Sequence, residues 1–183
     1  MNEFTQRGIT AMGIEPTDVG EFDRVYHLAC PATPEKIHGD PIGTMNSIMD
    51  ATRQALNVCP TALFINASSQ GAAYPNVNTP MGAYNAAKLC MEVYLRYTNH
   101  AVISYRLPAV YGPGMNRKFF IPQCIDGSAY FPTENRDYAI AHISDVVEDL
   151  ADLNTIRARN TTLIETYHKF TFGEWNINTR FDK

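Results

Sequence analysis

The chain has 183 residues, 45% of them hydrophobic and 19% charged, and carries a formal net charge of −4. That is enough apolar material for one globular domain with a sizeable core, and it excludes a disordered chain. The acidic balance, with Lys and Arg scattered, argues against a nucleic-acid partner, and no apolar run approaches the ~20 residues that span a bilayer.

In chain order, residues 1–22 are mixed and polar, broken by Gly8, Gly13, Pro16 and Gly20, with room for a short strand over 9–14. The opening MNEFTQRG has no apolar signal core, so the expected compartment is the cytoplasm. Residues 23–30 read as a buried strand stopped by Pro31, and 34–41 as a loop. Apolar residues at helical spacing predict a helix over 42–58, ended by Pro60. A second buried strand follows over 62–67, then a small polar loop, Ser68-Ser69-Gln70-Gly71, and a Pro- and Asn-rich connection over 72–81. Residues 83–97 predict a helix and 101–107 a third strand, which runs into a turn over 108–114 with two glycines. A short strand is expected over 138–143, then a helix over 146–153 capped by Ser144 or Asp145. Thr171-Phe172-Gly173-Glu174-Trp175 reads as a turn entering a short helix.

Strand–helix–strand–helix–strand is the rhythm of a parallel α/β sheet, which binds ligands outside the carboxyl ends of its strands. Ala29 and Cys30, Ser68 and Ser69, and Pro108 all fall on that rim. The four cysteines, at 30, 59, 90 and 124, have no metal-site spacing and read as reduced thiols, so no metal is expected.

Tyr84 and Lys88 stand four apart in the second predicted helix, on one face. An ammonium so placed favours the phenolate and is expected to pull the Tyr pKa below its usual value of about 10. A Tyr tuned in this way can move a proton at a sugar or alcohol hydroxyl while a nicotinamide takes the hydride.

Several ordered segments carry a resemblance. Val25-Tyr26-His27-Leu28-Ala29-Cys30-Pro31-Ala32-Thr33-Pro34 resembles the fourth-strand segment of extended short-chain dehydrogenases/reductases acting on nucleotide sugars. The nearest branch is that of the UDP-glucuronate decarboxylases. Asn46, Ala67-Ser68-Ser69 and Tyr84 with Lys88 fall where that family places its helix Asn, its catalytic Ser or Thr and its Y-x-x-x-K. Tyr105 to Met115 resembles the R-x-x-x-V-Y-G-P-G-M signature. Arg136-Asp137-Tyr138 with His142-Ile143-Ser144-Asp145-Val146 resembles the segment lining the sugar-nucleotide region.

The resemblance implies a single Rossmann-like three-layer domain over 1–183, an α/β fold with a parallel sheet, truncated at both ends. It would lack the first strand, the Gly-rich turn and the first helix, with 1–22 atypical and 115–183 a remnant of the sugar-nucleotide region. It implies Tyr84 as acid/base, Lys88 as the group that tunes Tyr84 and holds the nicotinamide ribose, and Ser68 as the hydroxyl that steadies the sugar oxygen, with Ser69 in reserve. Ala29 and Pro108 would border the cofactor, and Ser69, Gln70 and Arg136 the substrate. The cofactor would be NAD or NADP, the substrate a nucleotide sugar, and the assembly a homodimer through helices near 42–58 and 83–98. The family's G-x-x-G-x-x-G is absent from the sequence. The alternative is therefore a cofactor-less relative acting as a binding or partner subunit.

Overall fold

The structure, a computed structural model, describes residues 21–58, 60–125, 137–153, 162–165 and 168–171. The expected strand over 9–14, Gly8, Gly13, Cys59, Arg136 and residues 172–175 lie outside that set.

The elements run β1 (Arg24–His27), α1 (Pro34–Gly39), α2 (Pro41–Val58), β2 (Leu63–Ser69), a 3-10 turn (Gln70–Ala73), α3 (Pro80–Arg96), β3 (Val102–Leu107), β4 (Ala109–Tyr111), α4 (Phe120–Ile125), β5 (Asp137–His142), α5 (Ile143–Asp152), β6 (Thr162–Glu165) and β7 (His168–Thr171). The main sheet has the order β1-β2-β3-β6 and is parallel throughout. In a smaller sheet β5 lies between β4, to which it is parallel, and β7, to which it is antiparallel.

Alternation along the strands sorts the core into two layers. Val25, Phe64 and Val102 are register partners and face α2 and α3, packing with Ile48, Leu56, Ala87, Met91 and Leu95. Ile65, Ile103 and Tyr105 face the other way, onto Val146 and Leu150 of α5 and Ala141 of β5. Helices, sheet and opposite cover make the three layers that the resemblance implies. Phe64, Leu95 and Val102 are fully buried, each worth about 1.5–3 kcal/mol of transfer free energy.

Several elements differ from the expectation. Residues 34–39 form a helix rather than a loop: Thr33 caps it, its Oγ1 accepting from the Lys36 N–H at 3.4 Å, and Pro34 takes the first turn, where a missing N–H costs nothing. The 83–97 helix begins earlier, at Pro80, for the same reason, with Thr79 as the cap accepting from Gly82 N–H at 3.0 Å. β1 is shorter than its apolar run and ends at His27. β2 is longer than expected and carries Ser68 and Ser69 inside the ladder, where Ser69 pairs with Leu107. α5 starts at Ile143 and is capped by His142 rather than Ser144 or Asp145, its Nδ1 accepting from Ser144 N–H at 3.3 Å.

Candidate active site

The carboxyl ends of β1, β2 and β3 meet the first half of α3, and the polar side chains gather there. Tyr84 is half-buried and Lys88 is 3% exposed, one turn further along the same face. The Lys88 Nζ sits 5.9 Å from the Tyr84 ring centroid and donates to the Ala67 carbonyl of β2 at 2.8 Å. Ser69 and Cys30 both lie close enough to act on the Tyr84 hydroxyl, and Cys30 acts likewise on Lys88. Ser69 further accepts the Gly71 N–H at 3.2 Å, which caps the 3-10 turn and fixes its rotamer.

Ser68 is placed differently. It is buried on the helix-facing side of β2, and its hydroxyl donates to Glu92 of α3. Arg106 of β3 closes on the same carboxylate with two bonds, Nε to Oε1 at 2.9 Å and the terminal nitrogen to Oε2 at 2.8 Å. The two serines thus go to different partners: Ser68 stays in the ladder on Glu92, while Ser69, at the end of the strand where the 3-10 turn begins, lies near Tyr84. Ala29 is exposed on the rim beside Cys30, Pro108 is buried between β3 and β4, and Gln70 opens the 3-10 turn half-exposed.

Electrostatics corrects the expectation for Tyr84. Burial drives its pKa above the usual value, Cys30 pushes it the same way, and only the Ser69 hydrogen bond opposes them. Burial likewise lowers the pKa of Lys88, with Cys30 and then Glu92 acting against that. Desolvation is therefore the leading cause at both groups and disfavours the charged form of each. His27, behind them on β1, is pushed down to about 4 by burial and by the Lys88 charge. Its Nε2 lies 3.2 Å from Thr52 Oγ1, whose hydroxyl donates to the Ile48 carbonyl at 3.0 Å, which assigns the proton to Nε2 of a neutral ring. No group of three or more metal-ligating side chains occurs among the described residues.

Sequence reasoning missed Glu92. Its signal was a Glu one turn after Lys88 on the same helix face, but its partners Ser68 and Arg106 come from two strands and are joined to it only by the fold. The contact of Cys30 with Tyr84 and Lys88 also needed the structure, since β1 and α3 are far apart in sequence.

A family model for the NAD dependent epimerase/dehydratase family matches residues 14–148, well over half of the chain. The chain belongs to that family. Comparison with curated proteins gives no match. Among solved structures, it is similar to the dTDP-glucose 4,6-dehydratase of Streptomyces venezuelae, a complex with NAD (TM-score 0.63, 17% identity, 81% of this chain and 53% of that one). It is similar to the UDP-N-acetylglucosamine 4-epimerase of Methanobrevibacter ruminantium M1 (0.61, 20%, 82% and 57%). A third is the UDP-glucose 4-epimerase of Thermus thermophilus in complex with NAD (0.64, 19%, 81% and 58%). Identities this low establish a shared Rossmann-like fold. The chain spans 53–58% of the length of these three.

Proposed function

We propose that the chain modifies a nucleotide sugar by epimerase- or dehydratase-type chemistry with NAD or NADP, using Tyr84, Lys88 and Ser69. The observation that carries this reading is the meeting of these three side chains at the carboxyl rim of a parallel sheet, where such folds bind ligands.

The residues fit the nicotinamide half of a dinucleotide. A lysine ammonium has three donors; the Ala67 carbonyl engages one, which leaves donors for a ribose hydroxyl. Ala29 and Pro108 would flank the ring. The Gly-rich motif with which the family cradles the diphosphate has no counterpart in the sequence. A bound nicotinamide supplies a hydride acceptor. Tyr84 would take the proton from the sugar hydroxyl, Ser69 would steady the charge on that oxygen, and Lys88 would hold the ribose while its charge favours the phenolate. With Tyr84 so strongly held in the neutral form, the phenolate needs that added positive charge. Gln70 remains a rim position for the substrate, and Ser68 is displaced from direct contact by its bond to Glu92.

Calorimetric titration with NAD and with NADP, run beside Lys88→Ala, tests the reading. Heat at sub-millimolar dinucleotide is expected, weakened about 10- to 100-fold in the variant, the effect of losing one hydrogen bond from a charged donor. No heat with either dinucleotide at millimolar concentration would overturn it and favour the cofactor-less alternative.

A pairing surface on the same helix belongs to this proposal. Cys90, Val93, Tyr94 and Tyr97 are exposed at i, i+3, i+4 and i+7, an apolar stripe running off the outer face of α3. We propose that it meets a second copy of the chain, with α2 at the flank, where Arg53 lies 5.7 Å over the Tyr94 ring.

A further inference from the structure

α3 is fastened at two points to the stretch of chain that ends β2. One is the Lys88 ammonium on the Ala67 carbonyl, at 2.8 Å. The other is Asn85 on Gly71, in the 3-10 turn. A Cβ built at Gly71 would lie 2.1 Å from Asn85 Oδ1, 2.5 Å from its Cγ and 2.8 Å from its Nδ2, so the whole carboxamide rests on the bare α-carbon of the glycine. Only a residue without a Cβ leaves that room. The two fastenings run in opposite senses along the chain: position 67 meets 88, and 71 meets 85. Ser69 falls midway between 67 and 71, and Tyr84 stands directly before Asn85. Ser69 is itself tied to the same glycine, its Oγ accepting the Gly71 N–H at 3.2 Å.

We propose that Asn85, seated on Gly71, is a positioning residue that sets the spacing between the Ser69 hydroxyl and the Tyr84 phenol. Neither β2 nor α3 fixes that spacing alone, because residues 74–79 lie between the turn and the helix. Lys88 fixes it loosely, since its stem is long and flexible and it holds through one bond. The Asn85 carboxamide is short and is set against backbone, so it acts as a spacer of fixed length. Clearing it from Gly71 means moving Cγ, which takes a change of χ1. Successive helix residues point about 100° apart. With Asn85 turned to the 3-10 turn, Tyr84 is turned to the core beneath α3, in the cluster that also holds Cys30 and Ala32. The consequence for catalysis rests on the reading of Ser69 and Tyr84 given above: a misplacement of about 1 Å between reacting groups costs about 100-fold in rate.

Proton NOE spectra of the chain without any dinucleotide test the proposal, on the cross-peak between the Ser69 β-protons and the Tyr84 ring. The chain has ten tyrosines, and Ser69→Ala and Tyr84→Phe identify the signal. The wild type should show it. Gly71→Ala should lose most of it, because a methyl group cannot share its place with the carboxamide. Gly71→Ala combined with Asn85→Ala should bring it back, since the new methyl then fills the space that the carboxamide held. Asn85→Asp, which keeps the size, should retain it. A brace that served stability alone would lower the melting temperature and leave this cross-peak in place. A wild type without the cross-peak, an undiminished one in Gly71→Ala, or no recovery in the double variant overturns the proposal. The first of these would also remove Ser69 from the proposed chemistry, whereas the other two leave that reading intact. Circular dichroism checks each variant's fold. If Gly71→Ala does not fold, Asn85→Ala and Asn85→Asp decide: a cross-peak weakened in the first and retained in the second supports the proposal, and any other pair overturns it.

Discussion

At Tyr84, burial and the nearby Cys30 both favour the neutral phenol, and only the Ser69 hydrogen bond opposes them. Burial leads at His27 too, whose ring is neutral because desolvation and the Lys88 ammonium both disfavour its charged form. The linkage has a definite sign. Its folded pKa, about 4, lies below the unfolded value of about 6.5, so the unfolded chain binds the proton more readily. The stability this contributes is complete above pH 6.5 and is lost as pH falls from 6.5 towards 4, up to roughly 3 kcal/mol. Chemical denaturation at pH 7 and pH 4.5 should show this loss in the wild type and a smaller one in His27→Gln. Equal losses in both would remove His27 as the cause. Glu35, by contrast, is held down to about 2 by its bond to Lys118 across 2.8 Å, yet both groups are in solvent. That ion pair bridges α1 and the segment before α4 and contributes little to stability.

At the level of the element, α3 is where local sequence and site are most closely joined. Thr79 caps it, Pro80 begins it, and Gly82 allows the preceding loop to close on it: a Cβ at Gly82 would lie 1.6 Å from the Asn76 carbonyl oxygen. Thr79→Ala should cost about 1 kcal/mol, a fall of roughly 2–4 °C in Tm. Gly82→Ala should cost more, about 1–3 kcal/mol, since the obstacle is backbone and must shift. A thermal melt that places Gly82→Ala at or above Thr79→Ala would contradict the close approach. The same element shows what the sequence made legible. Its apolar period and the Tyr84–Lys88 spacing are written in consecutive residues, and so is the order of strands and helices around them. The two N-caps were equally local, since Thr33-Pro34 and Thr79-Pro80 are both start signals, yet a proline read as a breaker hid them. The choice between Ser68 and Ser69 was not local. It depended on where β2 ends, and two more residues in the ladder send the two hydroxyls to different partners. Glu92 with Arg106 lay further out of reach, because only tertiary packing brings a helix and a strand to one carboxylate.

At the scale of the whole molecule, the outward face of α3 contrasts with that of α2. α2 shows Asp50 and Arg53 to solvent, joined at 2.9 Å, whereas α3 shows Val93, Tyr94 and Tyr97. That stripe is the surface on which the proposed pairing with a second copy would form. Sedimentation should find a dimer for the wild type and a monomer for Val93→Glu, with the circular dichroism unchanged. A wild-type monomer at about 100 μM would remove the pairing proposal and leave the stripe to another partner.

The parallel order of the main sheet governs how the chain reaches this state. Val25 pairs with Phe64 and Phe64 with Val102, so each strand meets its neighbour only after an entire helical crossover has been threaded. No two strands of that sheet can zip together through a tight turn. During synthesis β1 cannot pair with β2 until α2 has followed it, and the loop-closure entropy falls due before those ladder bonds offset it. A sheet assembled this way forms late and cooperatively, and while it waits its apolar strands are open to the wrong neighbours.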